Sequence, residues 1–455
     1  MRMLQGSLAF VLPILCQLLG VNGFLQTRSI YHRQIDEKGL VSRTLLPALV
    51  EDLRDACSGQ SVEKLNCEPI FATFATSDEF KAKFWQKEPF HYSEVLPNLE
   101  LAFTMADVEH AIETDFLEAG RGTFSAKSGW NMAQVSEPTG TTFDEAKLKY
   151  NEVTNAMKEK NGTVVFNSAG GFVPELAGVC LQVVNAFQLP CALNMYLTAA
   201  GQPTSAPPHT DKQDVFVMQT QGKKHWRVFS PPPPARMPRA DPLARGKGMD
   251  QLSIHELDPP VIDTVLSPGN ILYIPAGYPH TTDTIEGISE DSDPSVHLTV
   301  GVDTHIWGLN YASLRENVLK KVGLKDKQLL PKLNQELYWS LQSSLPFGFL
   351  CENAEEVTED PLADLLLEKM KLTDAKQSES IDKSTVIACI TKLKAHHREI
   401  TDLFGRMYSD VCMKISPAQF DLSFFRSRVC TKRIFCVYYL CKMTTSTSYF
   451  SAAVL

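Results

Sequence analysis

The sequence lacks three features that would each indicate a well-known class of protein: an excess of basic residues, C-x-x-C pairs and internal repeats. It has no excess of basic residues, because 53 Asp and Glu residues outnumber 44 Lys and Arg residues and give a formal net charge of −9. A protein that binds nucleic acid through phosphate contacts needs the opposite balance, so we do not expect nucleic acid as a partner. None of the 11 cysteines forms a C-x-x-C pair, which argues against a zinc ribbon or a thioredoxin-like motif. The chain also shows no internal repeat.

Long hydrophobic runs are missing as well. The apolar stretch from Leu8 to Leu19 is too short to span a bilayer, but it follows an early arginine and precedes Gly23. This layout predicts a secretory signal peptide over residues 1–23, with a buried helix as the alternative interpretation. We therefore expect the protein in the secretory pathway or in an organelle reached through it, without a membrane span. Residues 431–455 differ abruptly in composition, and we assign them no function.

Short apolar runs, closely spaced, characterise residues 161–310. The runs GTVVFN, NMYLT, DVFVMQTQ, HWRVF, NILYIP and VHLTVGV are separated by Pro, Gly and polar residues. This pattern predicts a β-barrel or sandwich rather than a parallel α/β sheet. Residues 24–160 are predicted to be largely helical, with strands leading into the barrel, and residues 311–430 carry helical periodicity. The predicted fold is mixed α/β with a mainly β core.

Two ionisable residues, His209 and Asp211, stand just ahead of the apolar run DVFVMQTQ. Residues i and i+2 of a strand face the same way, so we expect both side chains on one face. An H-x-D pair alone is more often a surface or structural pair. A third ligand would come from a neighbouring strand, and His280 follows the predicted strand NILYIP. Two histidines and one carboxylate are the ligand set of non-haem Fe(II) oxygenases.

Polar residues also alternate along two of the predicted strands. They would share one face of a barrel wall and point inward, as in a barrel that holds a ligand: Asn194, Tyr196, Thr198, His297 and Thr299. Lys224 would supply the cation for a dicarboxylate such as 2-oxoglutarate, although a hairpin residue is the simpler interpretation. We interpret His297 as a pocket histidine rather than a fourth ligand, because the triad needs open positions.

Together these segments resemble the JmjC-type cupin domain of the ribosomal oxygenases, a subgroup of Fe(II)- and 2-oxoglutarate-dependent protein hydroxylases. The resemblance rests on "NMYLT", "PPHTDKQDVFVMQTQGKKHWRVF", "SPGNILYIPAGYPHTTD" and "SVHLTVG", with "FWQKEPFHY" similar to the segment before the barrel. It covers roughly residues 65–310. The resemblance implies a double-stranded β-helix (the JmjC or cupin barrel) at residues 161–310, flanked by helical N- and C-terminal regions.

The resemblance also implies a role for individual residues, with no catalytic group beyond the metal centre. The implied iron ligands are His209, Asp211 and His280. The implied 2-oxoglutarate contacts are Lys224, Asn194 and Thr299, and the implied substrate or pocket positions are Tyr196, His297 and Gly301. One position departs from the family, since ribosomal oxygenases place a serine where this chain has Gly301. Histidyl hydroxylation of ribosomal proteins is therefore in doubt.

By resemblance, the activity would be hydroxylation of a protein side chain with O₂ and 2-oxoglutarate, as a histidyl hydroxylase or an N-methyl-lysine demethylase. The implied partners are a ribosomal or histone-like protein substrate and a second copy of the chain, bound through C-terminal dimerisation or winged-helix regions. The family location, nucleus or nucleolus, is an alternative to the secretory route. Two other functions stay open: a non-catalytic metal-binding cupin, and an oxygenase acting on tRNA or a small molecule. The basic loop at residues 231–250 favours tRNA, and the net charge disfavours it.

Overall fold

The computed structural model describes most of the chain between residues 34 and 413. The described residues are 34–35, 41–42, 47–57, 65–117, 124–128, 148–158, 162–231, 253–285, 292–304, 307–324, 363–364, 366–368 and 381–413. The predicted signal peptide, nearly all of the basic loop and the C-terminal tail lie outside them. Within the described residues, no helix is both long and apolar enough to cross a membrane.

Two antiparallel sheets form the centre of this structure. The larger sheet has seven strands in the order β3-β11-β8-β13-β6-β5-β4, and the smaller has four in the order β10-β9-β12-β7. The strands are β3 Phe90–Tyr92, β4 Phe124–Ser128, β5 Gly162–Phe166, β6 Cys191–Thr198, β7 Ala206–His209, β8 Asp214–Gln221, β9 Lys224–Val228, β10 Ile262–Leu266, β11 Ile271–Ile274, β12 His280–Asp283 and β13 Ser295–Val302. Two short strands precede them, β1 Gln34–Ile35 and β2 Val41–Ser42. The expected mixed α/β fold with a mainly β core is confirmed.

Along the chain, helices precede the strands of these two sheets, lie between some of them and follow them. They are α1 Pro47–Cys57, α2 Glu68–Thr76, α3 Met105–Glu113, α4 Tyr150–Lys158, α5 Pro174–Phe187, α6 Tyr311–Lys321 and α7 Lys383–Cys412. A π-helix, Phe80–Phe84, and two 3₁₀ turns, Ala169–Gly171 and Ile254–Glu256, complete the described helical elements. Helix α5 begins with Pro174, whose fixed φ suits the first helical turn.

Strand β8 shows how the sequence builds two hydrophobic layers at once. Val215 and Val217 pack into a core between the sheets, whereas Phe216 and Met218 pack into the larger core under the helices. Successive strand residues point to opposite faces, so a strand buried on both faces must be apolar throughout. Phe216 also contacts an aromatic cluster, with Phe74 at 5.5 Å between ring centroids. Burial of each such ring stabilises the fold by about 1.5–3 kcal/mol.

The strands that carry the predicted site residues face one another across the barrel. On the larger sheet, β6, β8 and β13 are neighbours, with Thr299 opposite Asn194 on one side and Val217 on the other. On the smaller sheet, β12 lies between β9 and β7. Side chains from both sheets therefore line one cavity between them.

Candidate functional site

His209 and His280 lie side by side because their strands pair in register. His209 ends β7, His280 begins β12, and the two residues are Cα partners in the antiparallel ladder. Their ring centroids are 4.2 Å apart. Both residues are buried.

Asp211 corrects the prediction that it shares a strand with His209. Strand β7 ends at His209, and Asp211 lies two residues further on, in the loop before β8. The backbone of Asp211 is held there by Gly277, whose N–H donates to the Asp211 carbonyl at 2.9 Å. The carboxylate still reaches the histidines, because Asp211 Oδ2 lies 3.5 Å from His280 Nε2. One possible ligand atom from each of His209, Asp211 and His280 lies within 4.8 Å of the other two.

Backbone contacts orient both imidazoles towards this centre. His209 Nδ1 is 2.8 Å from the Pro207 carbonyl, and His280 Nδ1 is 3.0 Å from the Tyr278 carbonyl. A carbonyl oxygen only accepts, so each Nδ1 carries the hydrogen and each Nε2 offers its lone pair to a metal.

Electrostatics favour the protonation states that a cation requires. Burial, together with the neighbouring His280, lowers the pKa of His209 to about 4, so its imidazole is neutral at pH 7. Burial acts to raise the pKa of Asp211, but its interactions with His280 and His209 outweigh that effect and lower the pKa. The neutral imidazole of His209, the Nε2 atom of His280 and the ionised carboxylate of Asp211 together fit a divalent metal such as Fe(II).

Lys224 is the buried cation of the same cavity. It begins β9 and is only 1% exposed, and its Nζ donates to Thr198 Oγ1 at 3.0 Å. Burial lowers the pKa of its ammonium to about 7, an effect that the charge of Asp283 partly offsets. Among the described residues, no carboxylate pairs with Nζ, so the cavity holds a cation that an anionic ligand would satisfy.

An aromatic wall completes the cavity. Tyr196 and His297 stack with centroids 4.7 Å apart and planes at 6°, as two neighbours across the β6–β13 pair. Trp226 packs edge-on against His297 at 5.4 Å and lies 6.0 Å from His280. The cavity is lined by Tyr196, Ser205, Ala206, His209, Asp211, Val215, Val217, Lys224, Trp226, His280, Thr282, His297 and Thr299.

The structure thus brings most of the predicted site residues together, with two exceptions. Asn194 does not line the cavity, and its Oδ1 accepts a hydrogen bond from the Ser168 N–H at 2.8 Å. Gly301 also lies outside the lining, next to the side chain of Gln213. Trp226 was missed by sequence reasoning, although its position two residues after Lys224 on one strand was a usable signal.

A charged cluster on the reverse face of β9 was also missed. His225 Nδ1 lies 2.9 Å from Asp283 Oδ2, and His225 Nε2 lies 2.6 Å from Asp263 Oδ1. Arg227 Nη2 donates to Asp283 Oδ2 at 3.0 Å. Burial acts to lower the pKa of His225, but the two carboxylates outweigh it and raise the pKa to about 9. The cluster ties β10 and β12 to the strand that carries Lys224.

Comparison with known proteins agrees with this geometry. Residues 174–308 match the JmjC domain family. The chain is 25% identical over 267 residues to ribosomal oxygenase 2 of Rattus norvegicus, covering 56% of this chain and 53% of that protein. It is also 25% identical over 283 residues to the bifunctional lysine-specific demethylase and histidyl-hydroxylase NO66 of Dictyostelium discoideum, covering 62% and 46%.

The chain therefore spans about half the length of these relatives. The solved structure of YcfD, a ribosomal oxygenase from Escherichia coli, shares 16% identity over 66% of this chain and 67% of that one, with a TM-score of 0.32. Residues 174–308 thus resemble a JmjC domain, and over part of its length the chain is similar to the ribosomal oxygenases.

Proposed function

We propose that this protein is an Fe(II)- and 2-oxoglutarate-dependent oxygenase that hydroxylates a protein side chain. The observation that carries the proposal is the cavity of the JmjC domain, where the buried ammonium of Lys224 accompanies a three-residue metal-binding cluster. A structural metal site has no need of a buried lysine without a carboxylate partner in the same cavity. An anionic cosubstrate would account for both the metal ligands and Lys224.

Each residue of the cavity has a defined part in this function. The Nε2 atoms of His209 and His280 and one carboxylate oxygen of Asp211 would hold the metal on one face. Lys224 and the Thr198 hydroxyl would bind the distal carboxylate of 2-oxoglutarate, since a charge-assisted hydrogen bond is stronger than a neutral one. Val215 and Val217 exclude water on the opposite wall. When bound, Fe(II) and 2-oxoglutarate would supply the oxidation of a C–H bond by O₂.

The target would be a carbon atom of a protein side chain. Hydroxylation of a ring or chain carbon leaves a stable alcohol, whereas hydroxylation of an N-methyl group ends in loss of that group. The relative from Dictyostelium discoideum carries both activities in its name, as a lysine-specific demethylase and a histidyl-hydroxylase. The same cavity would serve either outcome, so the substrate decides which product forms.

The test is an anaerobic titration of the Fe(II)-loaded protein with 2-oxoglutarate, followed by visible absorbance. We expect a metal-to-cosubstrate charge-transfer band that is absent in His209→Ala. Lys224→Ala should weaken 2-oxoglutarate binding about tenfold to a hundredfold, since a hydrogen bond to a charged group contributes roughly 1.5–3 kcal/mol. The matched control is Lys223→Ala, which removes an exposed lysine next to Lys224 and should leave the affinity unchanged.

Two outcomes would contradict the proposal. Folded, iron-loaded protein that shows no band at any 2-oxoglutarate concentration would be a metal-binding cupin without turnover. Equal effects of Lys223→Ala and Lys224→Ala would remove the assigned carboxylate site.

A further inference from the structure

Gly301 occupies a position on the inner face of the larger sheet where a side chain would be expected. It lies on β13 two residues after Thr299, and its Cα partner on β8 is Val215. Both Thr299 and Val215 line the metal cavity. Because alternate residues of a strand share a face, a side chain at position 301 would stand at the rim of that cavity.

The side chain of Gln213 fills this space instead. A Cβ atom built on Gly301 would lie 2.5 Å from Gln213 Oε1 and 2.7 Å from Gln213 Cδ. Real Cβ contacts are longer, so a residue larger than glycine at position 301 would push the carboxamide, the far end of a flexible side chain, out of this place. The carboxamide therefore lies over Gly301, on the side of the larger sheet that Val215 and Thr299 present to the cavity.

The carboxamide has a defined orientation. Gln213 Nε2 donates to Asp303 Oδ2 at 3.3 Å, and Asp303 is buried at the end of β13. A carboxylate oxygen accepts, so the amide nitrogen must face Asp303 and the amide oxygen must face away from it. In the part of the chain that the structure describes, no donor bonds to Gln213 Oε1.

The Oε1 acceptor belongs to the loop that carries Asp211, one of the three candidate metal ligands. Gln213 follows Asp211 by two residues in that loop and is half-buried, so its side chain is partly open to solvent.

We propose that Gln213 is a specificity-determining residue, which accepts a hydrogen bond from an N–H group of the substrate side chain. The inference rests on the proposed oxygenase function. Gly301 makes room for the carboxamide and Asp303 orients it. Side chains with an N–H donor, such as those of His, Asn, Gln, Arg and Lys, would bind better than Leu or Met.

The test measures the binding of fluorescently labelled glycine–serine peptides that differ only in one central residue. The protein carries Fe(II) and 2-oxoglutarate under anaerobic conditions, so that binding is separated from turnover. We expect donor peptides to bind more tightly than the leucine peptide. Gln213→Leu, which replaces the carboxamide with a shorter apolar group and removes the acceptor, should reduce this preference about threefold to tenfold, the effect of one hydrogen bond.

Gly301→Ala provides an independent variant. Its methyl group should displace the carboxamide and lower the preference as Gln213→Leu does, and it should add nothing in the Gln213→Leu background. Lys212→Ala, in the same loop, is the matched control and should bind all peptides like the unmodified protein. The Kd of 2-oxoglutarate should be unchanged in all four variants.

Equal binding of donor and leucine peptides by the unmodified protein would overturn the inference. So would a preference that survives in both Gln213→Leu and Gly301→Ala. Failure of the unmodified protein to bind 2-oxoglutarate would instead contradict the proposed function, which keeps the two results apart.

Discussion

Lys224 and His209 line the same cavity, and burial lowers the pKa of both side chains. This shift favours metal binding by His209 but weakens the attraction of Lys224 for an anion. For His209, a pKa of about 4 leaves a neutral imidazole, the form that coordinates a metal. For Lys224, a pKa of about 7 means that a proton is lost within the physiological range. The cation that an anionic ligand needs is therefore present at slightly acidic pH and is lost as the pH rises.

Affinity for 2-oxoglutarate should consequently depend on pH. Only the protonated form of Lys224 attracts a carboxylate, so the Kd should be nearly constant below about pH 7. Above it, the Kd should rise by roughly tenfold per pH unit, because one pKa unit corresponds to a factor of 10 in the equilibrium. Anaerobic titrations between about pH 6 and pH 9 would measure this. Lys224→Ala should bind weakly with a flat profile, and a flat profile in the unmodified protein would contradict the prediction.

The two faces of strand β9 carry different kinds of side chain, one set lining the cavity and the other forming ion pairs with neighbouring strands. Lys224 and Trp226 face the cavity, whereas His225 and Arg227 face the two aspartates on β10 and β12. The reverse-face cluster therefore holds together three of the four strands of the smaller sheet, including the strand that begins with His280. At the scale of single elements, the positions of Lys224 and His280 in the cavity therefore depend on contacts made on the opposite face of the same sheet.

His225→Gln should destabilise the protein in a pH-dependent manner. The pKa of His225 is about 9 in the folded state, above the value of about 6.5 expected in the unfolded chain. A raised pKa contributes stability that is full below about pH 6.5 and is lost as the pH rises through about 9. The difference in free energy of unfolding between the two proteins should therefore be largest near pH 6.5 and shrink towards pH 10.

Urea unfolding at several pH values checks this expectation. The exposed His255 offers a control, because His255→Gln removes a histidine outside the cluster. If the difference in free energy of unfolding between the two proteins stayed constant or grew with pH, His225 would not be held as a cation between the two aspartates.

The region after the barrel is joined to it by specific buried contacts. On α7, His397 Nε2 donates to the Gln188 carbonyl at 2.5 Å, where α5 ends in a left-handed residue. The Tyr408 hydroxyl donates to the Cys191 carbonyl at 2.6 Å, at the start of β6. Such contacts hold α7 against the barrel, so α7 and the barrel should unfold as one unit.

At the same scale, the N-terminal segment bears on where the protein works. We propose that residues 1–23 direct the chain into the secretory route, because an early arginine, a short apolar stretch and small residues follow one another there. A fusion of residues 1–40 to a fluorescent protein should be found in the secretory pathway or an organelle. A nuclear or diffuse signal would contradict this and favour the nuclear location that the family resemblance implies.

Local and periodic features were readable in the sequence. The alternation in NMYLT and VHLTV predicted one shared face for Asn194, Tyr196, Thr198, His297 and Thr299. Tyr196, His297 and Thr299 line the cavity, whereas Asn194 and Thr198 do not. The spacing of His209, Asp211 and His280 predicted the metal-binding cluster that the structure assembles. These predictions succeed because strand periodicity is local, and because a histidine or carboxylate is recognisable by type.

Only the tertiary structure decided which residues meet across the barrel. The loop position of Asp211 depends on a hydrogen bond from Gly277. The cluster around His225 forms between strands that are far apart in sequence. The space above Gly301 is filled by the carboxamide of Gln213. Sequence reasoning treated Gly301 as the loss of a contact, whereas the structure shows its space filled by another polar group. Contacts of this kind arise from the register of distant strands and from the space left between side chains. Neither is encoded in any single stretch of the chain.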